Sequence, residues 1–238
     1  MADQRGLSQP DPELYPDIVQ AGDLRSALQA EFDTAGLGVL AGHVSAPGWR
    51  YVAAEVRNAE RDAEVLMGSQ ERVFCLQFWT RGVRMANGTT RELPAVAGAM
   101  HGWQSGMPVR QLVSAWPFLE TNGFAEAFER GDAEAVDYRW RRCHENSPPA
   151  PQLARLQTFI AVAFREPRLR ALLPYTSHGT LHFSRTASYP YSSDCPSVQP
   201  LDDGRFVVTA ADGGELGTAD AAGAVALVRT ALSDPLTR

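Results

Sequence analysis

The sequence predicts an α+β fold with a mixed or antiparallel sheet, a helical middle region and a C-terminal β-hairpin–α unit. Three observations carry this. Strand-like segments cluster at residues 39–86 and 180–216 instead of alternating with helices, which argues against an α/β order. Between them, from Glu92 onward, apolar residues recur at helical spacing. The C-terminal stretch "DGRFVVTAADGGELG" reads as a hairpin turning at "DGG", and "TADAAGAVALVRTALSDP" after it reads as a helix.

The elements follow in chain order. Residues 1–17 read as a flexible, proline-bearing lead-in, and 18–238 as a single α+β domain with a subdomain boundary allowed near 147–151. A first helix lies in "PDIVQAGDLRSALQAEFDTAGLG", where Leu24, Leu28 and Phe32 repeat four apart and Gly36 and Gly38 end it. Val39–Val44, "GWRYVAAEVR" and "ERVFCLQFWTRGVRMA" read as strands. In the last, Val73, Cys75, Gln77 and Trp79 alternate with Phe74, Leu76 and Phe78, so both faces are largely apolar and the strand is placed centrally. "NGTT" reads as the turn that closes it.

Helices then take over. "RELPAVAGAMHGWQSG" sets Leu93, Val96, Met100 and Trp103 on one face, and Pro117 closes the short helix in "PVRQLVSAWPFLE". "GFAEAFERGDAEAVDYRWRRCHEN" carries one or two helices, with Asp132 a cap candidate. "SPPAP" is a linker. "QLARLQTFIAVAFREPRLRALLP" is the most apolar helical region, divided at Pro167 and ending near Pro174. In "TLHFSRT", Leu181 and Phe183 face one way and Thr180, His182 and Ser184 the other. Segments 73–79 and 180–184 are expected to share one sheet.

Composition narrows the function. The 238-residue chain has a net charge of −6, and all 22 basic residues are arginine. A mildly acidic chain with scattered arginines does not suit general nucleic-acid binding. The N-terminus has no positive region followed by an apolar core, and no apolar run approaches the roughly 20 residues that span a membrane. A cytoplasmic protein without membrane attachment is expected. Cys75, Cys143 and Cys195 are far apart, odd in number and without a CxxC, so free thiols and no tightly bound zinc are expected. GxGxxG after a first strand, GxxxxGK[ST], HExxH and GxSxG are all absent.

Chemistry-bearing residues concentrate in "PYTSHGTLHFSRTASYPYSSDCP", residues 174–196. As catalytic candidates the stretch offers His178 as a general base, with Asp194 and Cys195. The carboxylate beside Cys195 raises its thiol pKa, and a folded His178–Cys195 pair would reverse that. Substrate-binding candidates are Tyr175, Ser177, Arg185, Tyr189 and Tyr191. Arg185 offers a fork of donors for a carboxylate or phosphate, and the tyrosines offer ring faces with hydroxyl tips. Each has a plain alternative: hydroxyls that cap turns, an arginine paired with an acid, rings that fill a core margin. His178 and His182, four apart, could face the same way in a strand as a metal pair, with Asp194 or Cys195 nearest for a third ligand; a structural role is the simpler account. His101 and Gln104 lie three apart on a helix, and His101 and the arginines of "YRWRRCHEN" read as helix surface.

"WPFLE" (116–120), "LLPYTSHGTLHFSRT" (172–186), "YPYSSDCP" (189–196) and "DGRFVVTAADGGELG" (203–217) together resemble an uncharacterised family of actinobacterial proteins tied to natural-product biosynthesis. The resemblance covers roughly 90–235. It implies a role in specialised metabolism and brings no catalytic residues with it.

Three function classes stay open. The first is a tailoring enzyme without a classical cofactor, acting on a small molecule or modified peptide. The second is a non-catalytic accessory protein that binds a peptide, a metabolite or a pathway enzyme. The third is a protective interaction protein. Oligomeric state is not legible. A cleft joining His178, Arg185 and Asp194 would favour the enzyme; an open sheet edge or apolar groove would favour peptide binding.

Overall fold

The computed structural model describes residues 8–145 and 154–233. The chain divides into two compact units, Met1–Glu126 and Ala127–Arg238. Both are α+β, and each carries its own antiparallel sheet of five strands.

In the first unit the strands run in chain order: β1 (Ala53–Arg57), β2 (Arg61–Met67), β3 (Phe74–Thr80), β4 (Val83–Thr90) and β5 (Leu119–Thr121). Its helices are α1 (Pro16–Ala21), α2 (Leu24–Thr34), α3 (Leu93–Gln104) and α4 (Val109–Ala115), while α5 (Gly123–Arg130) crosses the division. Alternation sorts the sheet's faces. Val56, Ala63, Phe78 and Ala86 pair across four strands, as do Ala54, Val65, Leu76 and Gly88, and these face α2 and α3. The row Glu55, Glu64, Gln77, Asn87 and Glu120 lies on the opposite face.

The side chains that close this core also satisfy its polar groups. The Asp23 carboxylate caps α2 by accepting the Ser26 N–H at 2.6 Å. Trp103, fully buried as its spacing predicted, donates its indole N–H to the Asp62 carbonyl. Tyr15, read in the sequence as part of the lead-in, is only 1% exposed. Its hydroxyl accepts the Val73 N–H at 2.9 Å and lies 2.9 Å from the Glu71 carbonyl.

The second unit contains α6 (Asp132–Glu145), α7 (Gln157–Ala163), α8 (Pro167–Arg170), β6 (Leu173–Ser177), β7 (Thr180–Ser184), β8 (Ser197–Pro200), β9 (Phe206–Thr209), β10 (Glu215–Ala219) and α9 (Ala221–Ser233). The sheet order is β10-β9-β8-β7-β6. Leu181, Phe183, Val198, Phe206 and Val208 form its inner face and pack with Trp140, Phe159, Ile160 and Val228 from the helices. Trp140 is fully buried and satisfied by the Leu172 carbonyl at 2.8 Å. Tyr175, His182, Ser197 and Thr209 form a row on the other face.

Several expectations are corrected. Segments 73–79 and 180–184 lie in different sheets, because alternation fixes which face a strand buries but not which strand it pairs with. "ERVFCLQFWTRGVRMA" is not one strand: it is a hairpin that turns at Arg81 and Gly82, both at positive φ (46° and 72°). "NGTT" continues β4. Residues 39–44 contribute an isolated bridge, Gly42 to Glu55. The helical region stops before Leu173, where β6 begins. The boundary considered near 147–151 and the start of the lead-in fall outside the described residues. Among the described residues no helix is long and apolar enough to cross a membrane.

Candidate functional site

The chemistry-bearing stretch spans β6, β7 and the loop that leads to β8. His178 and Gly179 join β6 to β7 with φ values of +50° and +82°, the two-residue turn that suits a right-twisted hairpin. Histidine is among the few non-glycine residues that tolerate this region. His178 is exposed there, and its Nδ1 lies 3.0 Å from the Ser177 hydroxyl. Ser177 itself ends β6 and does not belong to the turn.

Beyond β7 the loop is organised by one buried hydroxyl. Ser184 is 0% exposed. Its Oγ donates to the Thr186 carbonyl (2.8 Å) and accepts the N–H groups of Thr186 (3.1 Å) and Ser192 (2.9 Å). The Ser192 hydroxyl accepts the Arg185 N–H at 2.8 Å. Arg185 Nε donates to Asp194 Oδ2 at 2.7 Å. That hydrogen bond holds the Asp194 carboxyl below the usual carboxylate range. The sequence offered Arg185 as a ligand clamp or as an acid's partner; here it pairs with Asp194 at a half-exposed position.

Folding the loop back in this way builds an aromatic column. Tyr175 and His182 are directly paired across β6 and β7, and their rings stack at 5.2 Å and 18°. Tyr191 lies 4.5 Å from Tyr175, and Tyr189 meets Tyr191 edge-on at 6.0 Å. Offset and edge-to-face arrangements of this kind suit the ring quadrupoles. Exposure rises towards the loop tip: Tyr175 and Tyr191 are half-buried, while Tyr189 is 66% exposed. Burial pushes the Tyr175 hydroxyl pKa up and the His182 pKa down, so His182 is favoured neutral.

The three catalytic candidates do not converge. His178 sits at the tip of the β6–β7 hairpin, and Asp194 pairs with Arg185 beyond the far end of β7. The turn residue Gly179 and the five residues of β7 separate His178 from Arg185, roughly 20 Å at strand rise. Cys195 is 9% exposed with its sulfur 3.8 Å from Asp194 Oδ1. Burial, then the Asp194 charge, raises its thiol pKa, and its sulfur neighbours Asp194 while His178 sits at the β6–β7 turn, hydrogen-bonded to Ser177. His178 and His182 do not share a strand face, since His178 is a turn residue. Among the described residues no three His, Cys, Asp or Glu side chains are grouped to hold a metal ion.

Residues of the stretch line two separate depressions. His178 lines a depression of about 300 Å³ with Gln199, Leu201, Asp202 and Arg155, the last two an ion pair. Arg185 lines another of about 410 Å³ with Arg168, Leu172 and Leu232. Sequence reasoning missed Ser184 and His182 as organising residues. Their signal was present in the strand parity that places both opposite Leu181 and Phe183.

Residues 134–236 match the model of DUF6193, a family of unknown function. The match begins in α6 and covers the whole aromatic column. It includes the motifs at 172–217 and stops short of "WPFLE". No curated protein and no solved structure matches the chain.

Proposed function

We propose that the second unit is a non-catalytic binding module, and that the protein acts as an accessory that holds a peptide or metabolite on the Tyr189–Tyr191–Tyr175 column. The observation that carries this is Tyr189. A large ring left two-thirds exposed is held by a loop whose hydrogen bonds close on a buried hydroxyl. Such a loop has met its ordering cost before any ligand arrives, which is what a recognition surface requires. The surface runs from Ser177 and His178 at the hairpin tip past the column to Arg185 and Asp194. Its length of roughly 20 Å matches about six residues of extended chain. A ligand on the face is favoured over strand addition at β6, because Pro174 lacks one donor that an added strand would use. The sequence resemblance extends the reading to bacterial specialised metabolism, with a pathway intermediate as ligand.

The tailoring-enzyme reading keeps one supporting observation, the 3.0 Å contact between the Ser177 hydroxyl and His178 Nδ1. It would make Ser177 the nucleophile and His178 its base. The two readings separate in a titration of short tyrosine- and proline-containing peptides and aryl glycosides, with the ligand's mass recorded before and after. Binding with unchanged ligand mass, weakened about tenfold or more by Tyr189→Ala, supports the module. A change in ligand mass that is lost in Ser177→Ala supports the enzyme.

A further inference from the structure

A separate cavity, of about 530 Å³, lies in the first unit and is built from different residues. Its volume falls in the range of small-ligand sites. Trp49 stands on one side, in the short 3-10 turn Pro47–Trp49. Val52 and Met67, 8% and 7% exposed, are apolar residues of its lining. Residues 8–12 make the other wall, with Pro10 and Pro12 restricting its backbone.

Both walls are pinned. The Ser8 N–H donates to the Gly48 carbonyl at 2.9 Å, tying the start of the 8–12 segment to the turn that carries Trp49. Past the other end of that segment, the Tyr15 hydroxyl lies 3.0 Å from the Gly68 carbonyl, and Gly68 also lines the cavity. The opening is therefore held between fixed elements.

Its chemistry is selective. Trp49 leaves half of its surface exposed. Asp11 is the only ionisable group among the described lining residues, and its neighbour in sequence, Pro12, lines the cavity with it. The Glu13 N–H donates to Asp11 Oδ1 at 2.8 Å, which restrains the carboxylate of this lining residue. No cationic side chain lines the cavity among those residues. An indole face, a polarisable thioether and one carboxylate together favour a positive charge attached to an apolar body.

We infer that this cavity binds a small organic cation: a compact aromatic or alkyl ring bearing a protonated or quaternary amine. The ring packs on Val52 and Met67, the cationic head lies over Trp49, and Asp11 supplies the counter-charge. The site does not depend on the Tyr189 column.

Three size-matched probes test this on the full chain by calorimetric titration: benzyltrimethylammonium, benzyl alcohol and benzoate. The cation should bind at least tenfold more tightly than the alcohol, and benzoate more weakly than either. Trp49→Ala should weaken cation binding tenfold or more, and Trp49→Phe should weaken it less. Asp11→Asn keeps an oxygen for the Glu13 N–H, so it should leave the fold intact while bringing cation and alcohol within about threefold of each other. Equal affinity for the three probes, no binding of any, or a cation preference that survives Asp11→Asn overturns the assignment. If Trp49→Ala does not fold, the Trp49→Phe and Asp11→Asn results decide.

Discussion

The rings of Tyr175 and His182, paired residues on adjacent antiparallel strands, lie 5.2 Å apart and within 18° of parallel. The stack has a consequence for pH. Burial lowers the His182 pKa below the ordinary histidine value, about 6.5. The unfolded chain therefore takes up a proton before the folded chain does. His182's contribution to stability is full above about pH 6.5 and is lost as pH falls towards its depressed folded value. Thermal melts between pH 7.5 and 5 should show this loss, and His182→Phe, which keeps a ring in the stack, should reduce the slope. A slope unchanged in His182→Phe would assign the loss to other groups.

Ser184→Ala removes one hydroxyl and leaves the Thr186 and Ser192 N–H groups without their acceptor. A hydrogen bond lost is worth about 0.5–1.5 kcal/mol net, so losing those of the Ser184 hydroxyl amounts to about 1–3 kcal/mol. The second unit should lose stability in that range, and the amides of Thr186 and Ser192 should exchange faster than those of β7. Unchanged exchange at both amides would show that the loop is held by something else.

Gly88 pairs with Leu76 on one side and Leu119 on the other. A Cβ there would collide with the Phe118 carbonyl oxygen and lie 2.9 Å from the Leu119 Cα, both backbone atoms that cannot rotate away. Gly88→Ala should destabilise the first unit by about 1–3 kcal/mol. Gly42, whose added Cβ would meet its nearest neighbour at 3.6 Å, should accept alanine within about 0.5 kcal/mol. Denaturant melts of the two variants check the contrast.

The thiols should differ in reactivity. Cys75 is exposed on β3, whereas burial raises the pKa of Cys143 and of Cys195. Iodoacetamide at neutral pH should label Cys75 first in the native protein, with Cys195 protected until the chain is unfolded. Rapid native labelling of Cys195 would contradict its burial beside Asp194.

How much of this was legible in the sequence differs by element. Thr180–Ser184 was readable because Leu181 and Phe183 alternate cleanly with polar residues, and α2 because Leu24, Leu28 and Phe32 recur four apart. β2 was not, since Asp62 and Glu64 put charge on its open face and Arg61 opens its inner face with another, which masks the buried Ala63 and Val65. The Arg81–Gly82 turn was overlooked because the apolar pattern runs straight through it. At the site, the density of donors between Tyr175 and Cys195 was readable. The sequence could not show that Ser184 closes the loop, or that a strand's length separates His178 from Asp194. Both depend on which strands pair and where the chain folds back.

The central claim is that residues 175–196 bind through the aromatic column and do not perform catalysis. The most direct measurement sets three variants, Tyr189→Ala, His178→Ala and Cys195→Ser, beside the parent protein and records ligand affinity and ligand mass together. Affinity should fall about tenfold or more in Tyr189→Ala, stay within about threefold in Cys195→Ser, and ligand mass should not change in any sample. A ligand converted by the parent and left unchanged by the folded His178→Ala variant would contradict the account and make His178 a catalytic residue.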